Sequence, residues 1–315
     1  MNYYFIANPY ARNGLGRNKL EELRERLRRR GVRHELAFCA TFDHARELSR
    51  QANLAGYDVI VAVGGDGTIN RVLNGFFDGG GRRLSGARLG VVHIGASPDF
   101  CRSYGVPTAV GPAVEVLCAG RARAVSVGRV SYTTEQGEET GPASAVFGCC
   151  ANIGLGAALA RLANAGIRKY LGDFLGTFVS LLRVLVRYRP QTLQITLDGQ
   201  PRRWSGVYDI AVGKTAYIAS GIKVRHTLGA QDSRFYVLCV RNLGWNNFAR
   251  VLRALYSGRP IVADRSLSLE YAGCVELAPV EGTTEVEFDG DPAGRCPCRI
   301  ETAPDPVDLI TSEHQ

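Results

Sequence analysis

Hydrophobic positions along this chain follow two regimes. In roughly the first 120 residues, short apolar runs alternate with stretches of helical spacing. Tyr3 to Ala7, Glu35 to Cys39, Asp58 to Val63 and Leu89 to Ile94 read as buried strands. Between them, Leu20, Leu23 and Leu27 share one face of an arginine-rich helix, and Ala45, Leu48 and Ala52 share a face of another. Thr41 stands where that second helix needs an N-cap. Pro98 or Asp99 opens a short helix that Gly105-Val-Pro107 ends. Strands alternating with helices predict a doubly wound α/β domain built on a parallel sheet.

From about Ala122 the period changes. Val125–Tyr132, Ala143–Asn152, Thr192–Leu197, Tyr208–Val212, Phe235–Val240, Val275–Ala278 and Thr284–Asp289 read as strands. Asp198-Gly199 and Asp289-Gly290 are turn signals between them. A helical region over Leu155 to Arg187 and a helix over Trp245 to Tyr256 interrupt the series. The second half is therefore expected to be mainly β, a sandwich or strongly curved sheet. The organisation predicted is a domain over 1–122 and a β-rich domain over 123–303.

One junction carries chemistry. Val61 to Gly75 reads VAVGGDGTINRVLNG. An apolar strand stops at Gly64-Gly65-Asp66-Gly67-Thr68, and Ile69, Val72, Leu73 and Phe76 then recur at helical spacing. A glycine turn lets backbone approach a ligand, and the helix behind it offers N–H groups and the positive end of its dipole. That geometry binds phosphate. Asn8, Thr41 and Gly95 follow strands of the same sheet, and ligands of such sheets gather at the strands' carboxyl ends.

The run from Gly64 to Asn70, with Asn74-Gly75, resembles the signature of the diacylglycerol kinase catalytic-domain family, which includes bacterial lipid kinases and sphingosine and ceramide kinases. Asn8-Pro9 through Gly16 is similar to that family's opening segment, and Leu89–Phe100 to its third. Arg71 stands where the family has Glu, Ala96 where it has Thr, and Pro98 where it has Asn. The resemblance implies a NAD-kinase-like first domain and a C-terminal β-sandwich, with residues 304–315 returning to the first domain. It implies that ATP lies against Asn8, Thr41, Gly64, Gly65, Asp66, Gly67, Thr68, Ile69, Asn70, Gly95 and Ala96. Magnesium would be served by Asp66 and Asp232. Glu287–Gly294, EFDGDPAG, resembles the family's acidic segment, so Asp291, with Asp289, is the expected base on an acceptor hydroxyl.

These implications describe a lipid kinase whose acceptor is diacylglycerol-, sphingoid- or ceramide-like and lies between the domains. Two other readings stay open: an impaired relative that binds nucleotide or lipid, and a kinase of a non-lipid hydroxyl.

Composition narrows the setting. The chain has 315 residues and a formal charge of +8. Its arginines are dispersed and no nucleic-acid module is recognisable, so the surplus suits phosphate and the surface of an anionic membrane. A homodimer is left open. Nine cysteines without a C-x-x-C pair, and an N-terminus too short for a signal peptide, predict reduced thiols in a cytoplasmic protein with peripheral membrane contact.

Overall fold

The computed structural model describes residues 1–9, 16–136, 139–162, 188–219 and 221–312. Two compact units emerge. The first comprises Met1–Val127, Ala145–Cys149 and Ala303–Gln315; the second comprises Gly128–Ser144 and Cys150–Thr302.

The first unit is a six-stranded sheet in the order β2-β1-β3-β4-β18-β5. Its parallel members are β1 (Tyr3–Ala7), β2 (His34–Phe38), β3 (Val59–Gly64), β4 (Arg88–His93) and β18 (Val307–Ile310). Strand β5 (Ala122–Val125) closes the edge antiparallel to β18. Alternation along β3 builds both layers. Val59, Val61 and Val63 face α1 (Arg17–Arg29) and α5 (Val110–Ala119), whose Leu20, Leu23, Leu27, Val114 and Leu117 complete one core. Ile60 and Ala62 face α2 (Phe42–Leu54), α3 (Asp66–Asn74) and α4 (Asp99–Tyr104) in the other. Apolar residues on both faces of one strand require helices on both sides, which is the doubly wound arrangement.

The second unit is one large antiparallel sheet that includes β6 (Gly128–Gln136), β7 (Glu139–Phe147), β14 (Leu267–Ala272) and β15 (Cys274–Pro279), in the order β14-β13-β10-β8-β16-β17-β15-β9, with β6 on β17 and β7 on β6. The strands that matter below are β8 (Cys150–Gly154), β9 (Gln191–Leu197), β10 (Gln200–Gly213), β13 (Phe235–Arg241), β16 (Glu285–Phe288) and β17 (Asp291–Thr302). The first half of β10 pairs with β9 and its second half with β8 and β13. Strand β10, third in the order, thus also bonds the last strand, and the sheet curls back on itself as the expected sandwich-like domain requires. Of the helical region expected over 155–187, Leu155–Leu162 forms α6; the rest lies outside the described residues, as do residues 10–15 of the opening segment. Helix α7 occupies Trp245–Tyr256. Among the described residues no helix is long and apolar enough to cross a membrane.

Candidate active site

In the first unit the glycine turn forms where β3 ends and α3 begins. Gly64 is tight because Thr68 folds back on it: a Cβ there would lie 2.4 Å from the Thr68 side chain. Asn8, just past β1, donates from Nδ2 to Thr68 Oγ1 at 3.2 Å. The loop after β4 closes on the same turn. A Cβ on Gly95 would sit 2.3 Å from Gly65 Cα, so two backbones pass in direct contact. Asp66 heads α3, and its Oδ2 accepts from the Asp99 amide at 3.1 Å, which ties the turn to α4. Gly65 is the N-cap of α3 and no side-chain cap bond is made there, which suits an anion at that end.

The other residues expected around nucleotide divide by position. Ile69 is 1% exposed and belongs to the core beneath α3. Asn70 is equally buried and donates to Val146 O at 3.1 Å, a bond internal to the unit. Thr41 is exposed, and its Oγ1 accepts from the His44 amide at 3.1 Å as the N-cap of α2. Ala96 is exposed on the loop after β4. Arg71 reaches Asp43 at 3.4 Å. His93 is buried and its Nε2 bonds with Ser97 O at 2.8 Å, fixing the same loop. Sequence reasoning missed Lys19. From α1 its Nζ donates to His93 O at 3.4 Å, bringing an ammonium to the carboxyl end of β4. Its only sequence signal was a lysine beside a glycine loop.

In the second unit Asp289 and Asp291 flank Gly290 in the hairpin between β16 and β17. Asp289 has φ 52° and Gly290 φ 90°, the left-handed pair that a two-residue hairpin turn requires. Asp289 N donates to Cys150 O at 3.0 Å, and Asp289 Oδ1 accepts from Cys150 N at 3.1 Å. Asp291, 4% exposed, opens β17 opposite Phe288. Two carboxyls absent from the sequence expectation adjoin this pair. Glu287 accepts from Asn152 Nδ2 at 2.7 Å and from the Gly290 amide at 2.5 Å. Burial pushes its carboxyl up to about 8, against those two bonds and with help from the Asp289 and Asp209 charges. Asp209 on β10 accepts from Gly156 N at 2.8 Å, and burial lifts it to about 7. Both lie inside strands, where a carboxylate reads as an outward-facing residue.

The metal expectation splits. Magnesium uses one or two carboxylates together with substrate phosphates. Asp66, anchored by Asp99 N beside the glycine turn, fits that use. Asp232 does not. Arg234 holds both of its oxygens, Nε on Oδ1 at 3.1 Å and Nη2 on Oδ2 at 2.9 Å, and keeps the carboxyl below its ordinary range. Among the described residues no three His, Cys, Asp or Glu side chains converge on a metal position.

Comparison with known proteins agrees with this architecture. Residues 2–130 match the profile of the diacylglycerol kinase catalytic domain, and residues 149–311 match the YegS C-terminal NAD kinase beta sandwich-like domain. The chain is 24% identical to the diacylglycerol kinase of Bacillus subtilis (strain 168) over 296 residues, covering 93% of this chain and 90% of that protein. A solved structure of a putative diacylglycerol kinase from Bacillus anthracis str. Sterne superposes with a TM-score of 0.74 at 19% identity, over 99% of this chain and 97% of that one. Yeast NADH kinase complexed with NADH shares the fold at a TM-score of 0.52 and 10% identity, over 99% and 84%. With its sheet order, its glycine turn and matches over both halves, the chain belongs to the diacylglycerol kinase catalytic-domain family.

Proposed function

We propose that the protein is an ATP- and magnesium-dependent kinase that phosphorylates a hydroxyl of a lipid acceptor of the diacylglycerol, sphingoid or ceramide type. The observation that carries this reading is the contact of the Gly65 and Gly95 backbones at the head of α3. Bare backbone from two strand ends gives a phosphate chain donors without side chains in its way. Lys19 adds a charge at the same strand end, where Ala96 lacks the hydroxyl common in the family. Magnesium bound with the phosphates beside Asp66 would neutralise charge on the transferring group. Asp291 takes the acceptor hydroxyl's proton on a carboxylate oxygen, the alcohol oxygen bonds to the γ-phosphorus, and the bond from that phosphorus to the β,γ-bridging oxygen breaks, so that ADP leaves with the electron pair. The names of the relatives, rather than any residue of this chain, favour a lipid as the alcohol.

The net charge of +8 supports contact with an anionic membrane surface, where such an acceptor resides. Purified protein incubated with labelled ATP, magnesium and a panel of lipids in mixed micelles tests the proposal, with NAD and soluble alcohols as competing acceptors. Label in a lipid product supports it. Label only in a soluble acceptor, or in none, rejects it. A second reading, a binding protein with little turnover, is favoured by the Arg234 clamp on Asp232; nucleotide binding without product in that assay would establish it.

A further inference from the structure

We infer that Glu287 is a positioning residue: its buried carboxyl fixes the Asp289-Gly290 turn and so sets the aim of Asp291. The inference rests on the kinase reading for the meaning of that aim, but its structural half stands alone.

The ladder between the two strands of this hairpin is irregular. Pairing of β16 with β17 slips between Val286 and Glu287, from Val286 opposite Gly294 to Glu287 opposite Pro292, which leaves Ala293 as the extra residue of a bulge. Pro292 has no N–H to give the ladder. Side chains make up the deficit. Glu287 bridges the turn amide of Gly290 and the Nδ2 of Asn152, which lies directly opposite it on β8. Asp289 adds its reciprocal bonds to Cys150 on the same strand. The turn is therefore stitched to β8, and Asp291 begins one residue beyond the stitched amide.

Burial first, and the acids around it second, make Glu287 a neutral acid. Asp289 faces it from the turn, Asp291 follows on β17, and Asp209 faces it from β10. Cys150 contributes a thiol from β8, and Tyr188 packs towards Asp209. Ionisation would set the charge of Glu287 against the Asp289 and Asp209 carboxyls, whereas the protonated carboxyl still accepts from Gly290 and Asn152. Its proton is retained up to about pH 8. Above that, charge on Glu287 opposes charge on Asp289 and loosens the turn.

Two measurements test this. In the first, protein labelled with 15N-glycine is titrated from pH 6 to 10, and the Gly290 amide is followed in wild type and E287Q. We expect a midpoint near pH 8 in wild type that is absent from E287Q. A Gly290 amide that ignores pH in wild type, or titrates identically in E287Q, overturns the inference whether or not an acceptor is known. In the second, kcat and KM are taken against pH with an acceptor that wild type phosphorylates. We expect E287A to lose kcat by about a hundredfold, the scale of a misplaced reacting group, with the KM for ATP unchanged. E287Q should recover most of it, Asn152 turning its amide to offer Oδ1 to the new Nε2, and should lose the alkaline fall in kcat. Wild-type kcat in E287A, or an unchanged alkaline limb in E287Q, overturns the inference. Wild type silent with every acceptor instead counts against the kinase reading, and the amide titration still decides the role of Glu287.

Discussion

Asn74 exchanges a pair of hydrogen bonds with Val146: it donates from Nδ2 to the carbonyl at 2.8 Å and accepts the amide on Oδ1 at 2.9 Å. One side chain thus replaces a strand partner for Val146 and holds residues 145–149 against α3. Asn70 reinforces it by donating to the same carbonyl. The family signature contains both asparagines, and here both serve the scaffold behind the glycine turn.

Asn74→Ala should therefore be a folding lesion. It strands the buried amide of Val146 at ~1–3 kcal/mol and removes one of the two bonds on its carbonyl, which keeps Asn70, at ~0.5–1.5 kcal/mol. Urea unfolding should show a loss of about 3 kcal/mol, whereas Asn74→Asp should rescue only the bond from the Val146 amide. A change below about 0.5 kcal/mol in the alanine variant would mean that the pair is not needed.

Gly65 and Gly95 offer a graded test of the phosphate cradle. A methyl at 65 would stand 3.3 Å from Gly95 Cα, a tight fit that small movement relieves; a methyl at 95 would stand 2.3 Å from Gly65 Cα, which forces the loops apart. Gly95→Ala should weaken binding of a fluorescent ATP analogue by about a hundredfold or more, the order of two lost charge-assisted hydrogen bonds. Gly65→Ala should weaken it far less. Equal losses, or none at 95, would place nucleotide elsewhere.

Much of the first unit was legible because burial on both faces of a parallel strand leaves continuous apolar runs, as in Val59–Gly64. Helix α5 escaped notice. Its apolar residues occupy most of its circumference and Gly111-Pro112 falls in its first turn, so it lacks the stripe that marks a surface helix. Of strand β17 only the alternation of Cys296 and Cys298 reads as strand; Pro292, Gly294 and Pro297, which normally punctuate strands, here accompany a bulge. At the site, the glycine turn and the Asp289-Gly290 hairpin are local chemistry and readable as such. Glu287, Asp209 and Lys19 matter through what folding brings to them, Asn152, Gly156 and His93, and no spacing along the chain encodes those meetings.

The acid pair within the second unit sets a pH dependence of stability. Glu287 is raised from 4.5 to about 8 and Asp209 from 3.8 to about 7, both chiefly by burial. A raised folded-state pKa means that the native protein binds the proton more tightly than the unfolded chain. The associated stability is complete below the unfolded values and is lost as pH rises through the folded ones. The urea midpoint should fall between about pH 4 and pH 8, and E287Q and D209N should each flatten part of that decline. A midpoint that rises across this interval, unaltered in both variants, would show that neither carboxyl holds its proton in the native state.

Asp232 and Asp66 make opposite predictions about magnesium. Arg234 occupies both oxygens of Asp232 and lies two residues along the same loop, so a cation approaching Asp232 must displace a side chain that is tethered beside it. The Lys214 ammonium donates to the Asp232 carbonyl at 2.5 Å and adds positive charge to the loop. A divalent ion meets repulsion there before it meets a ligand. Asp66 has an amide on Oδ2 and stands at the head of the helix that the phosphates would approach, so an ion can arrive with the nucleotide. Asp66→Asn should raise the magnesium concentration for half-maximal turnover by about tenfold or more, the loss of one charged ligand. Asp232→Asn should leave that concentration unchanged and release Arg234. If the two variants shift the magnesium requirement equally, the Arg234 clamp opens during turnover and Asp232 is a ligand after all.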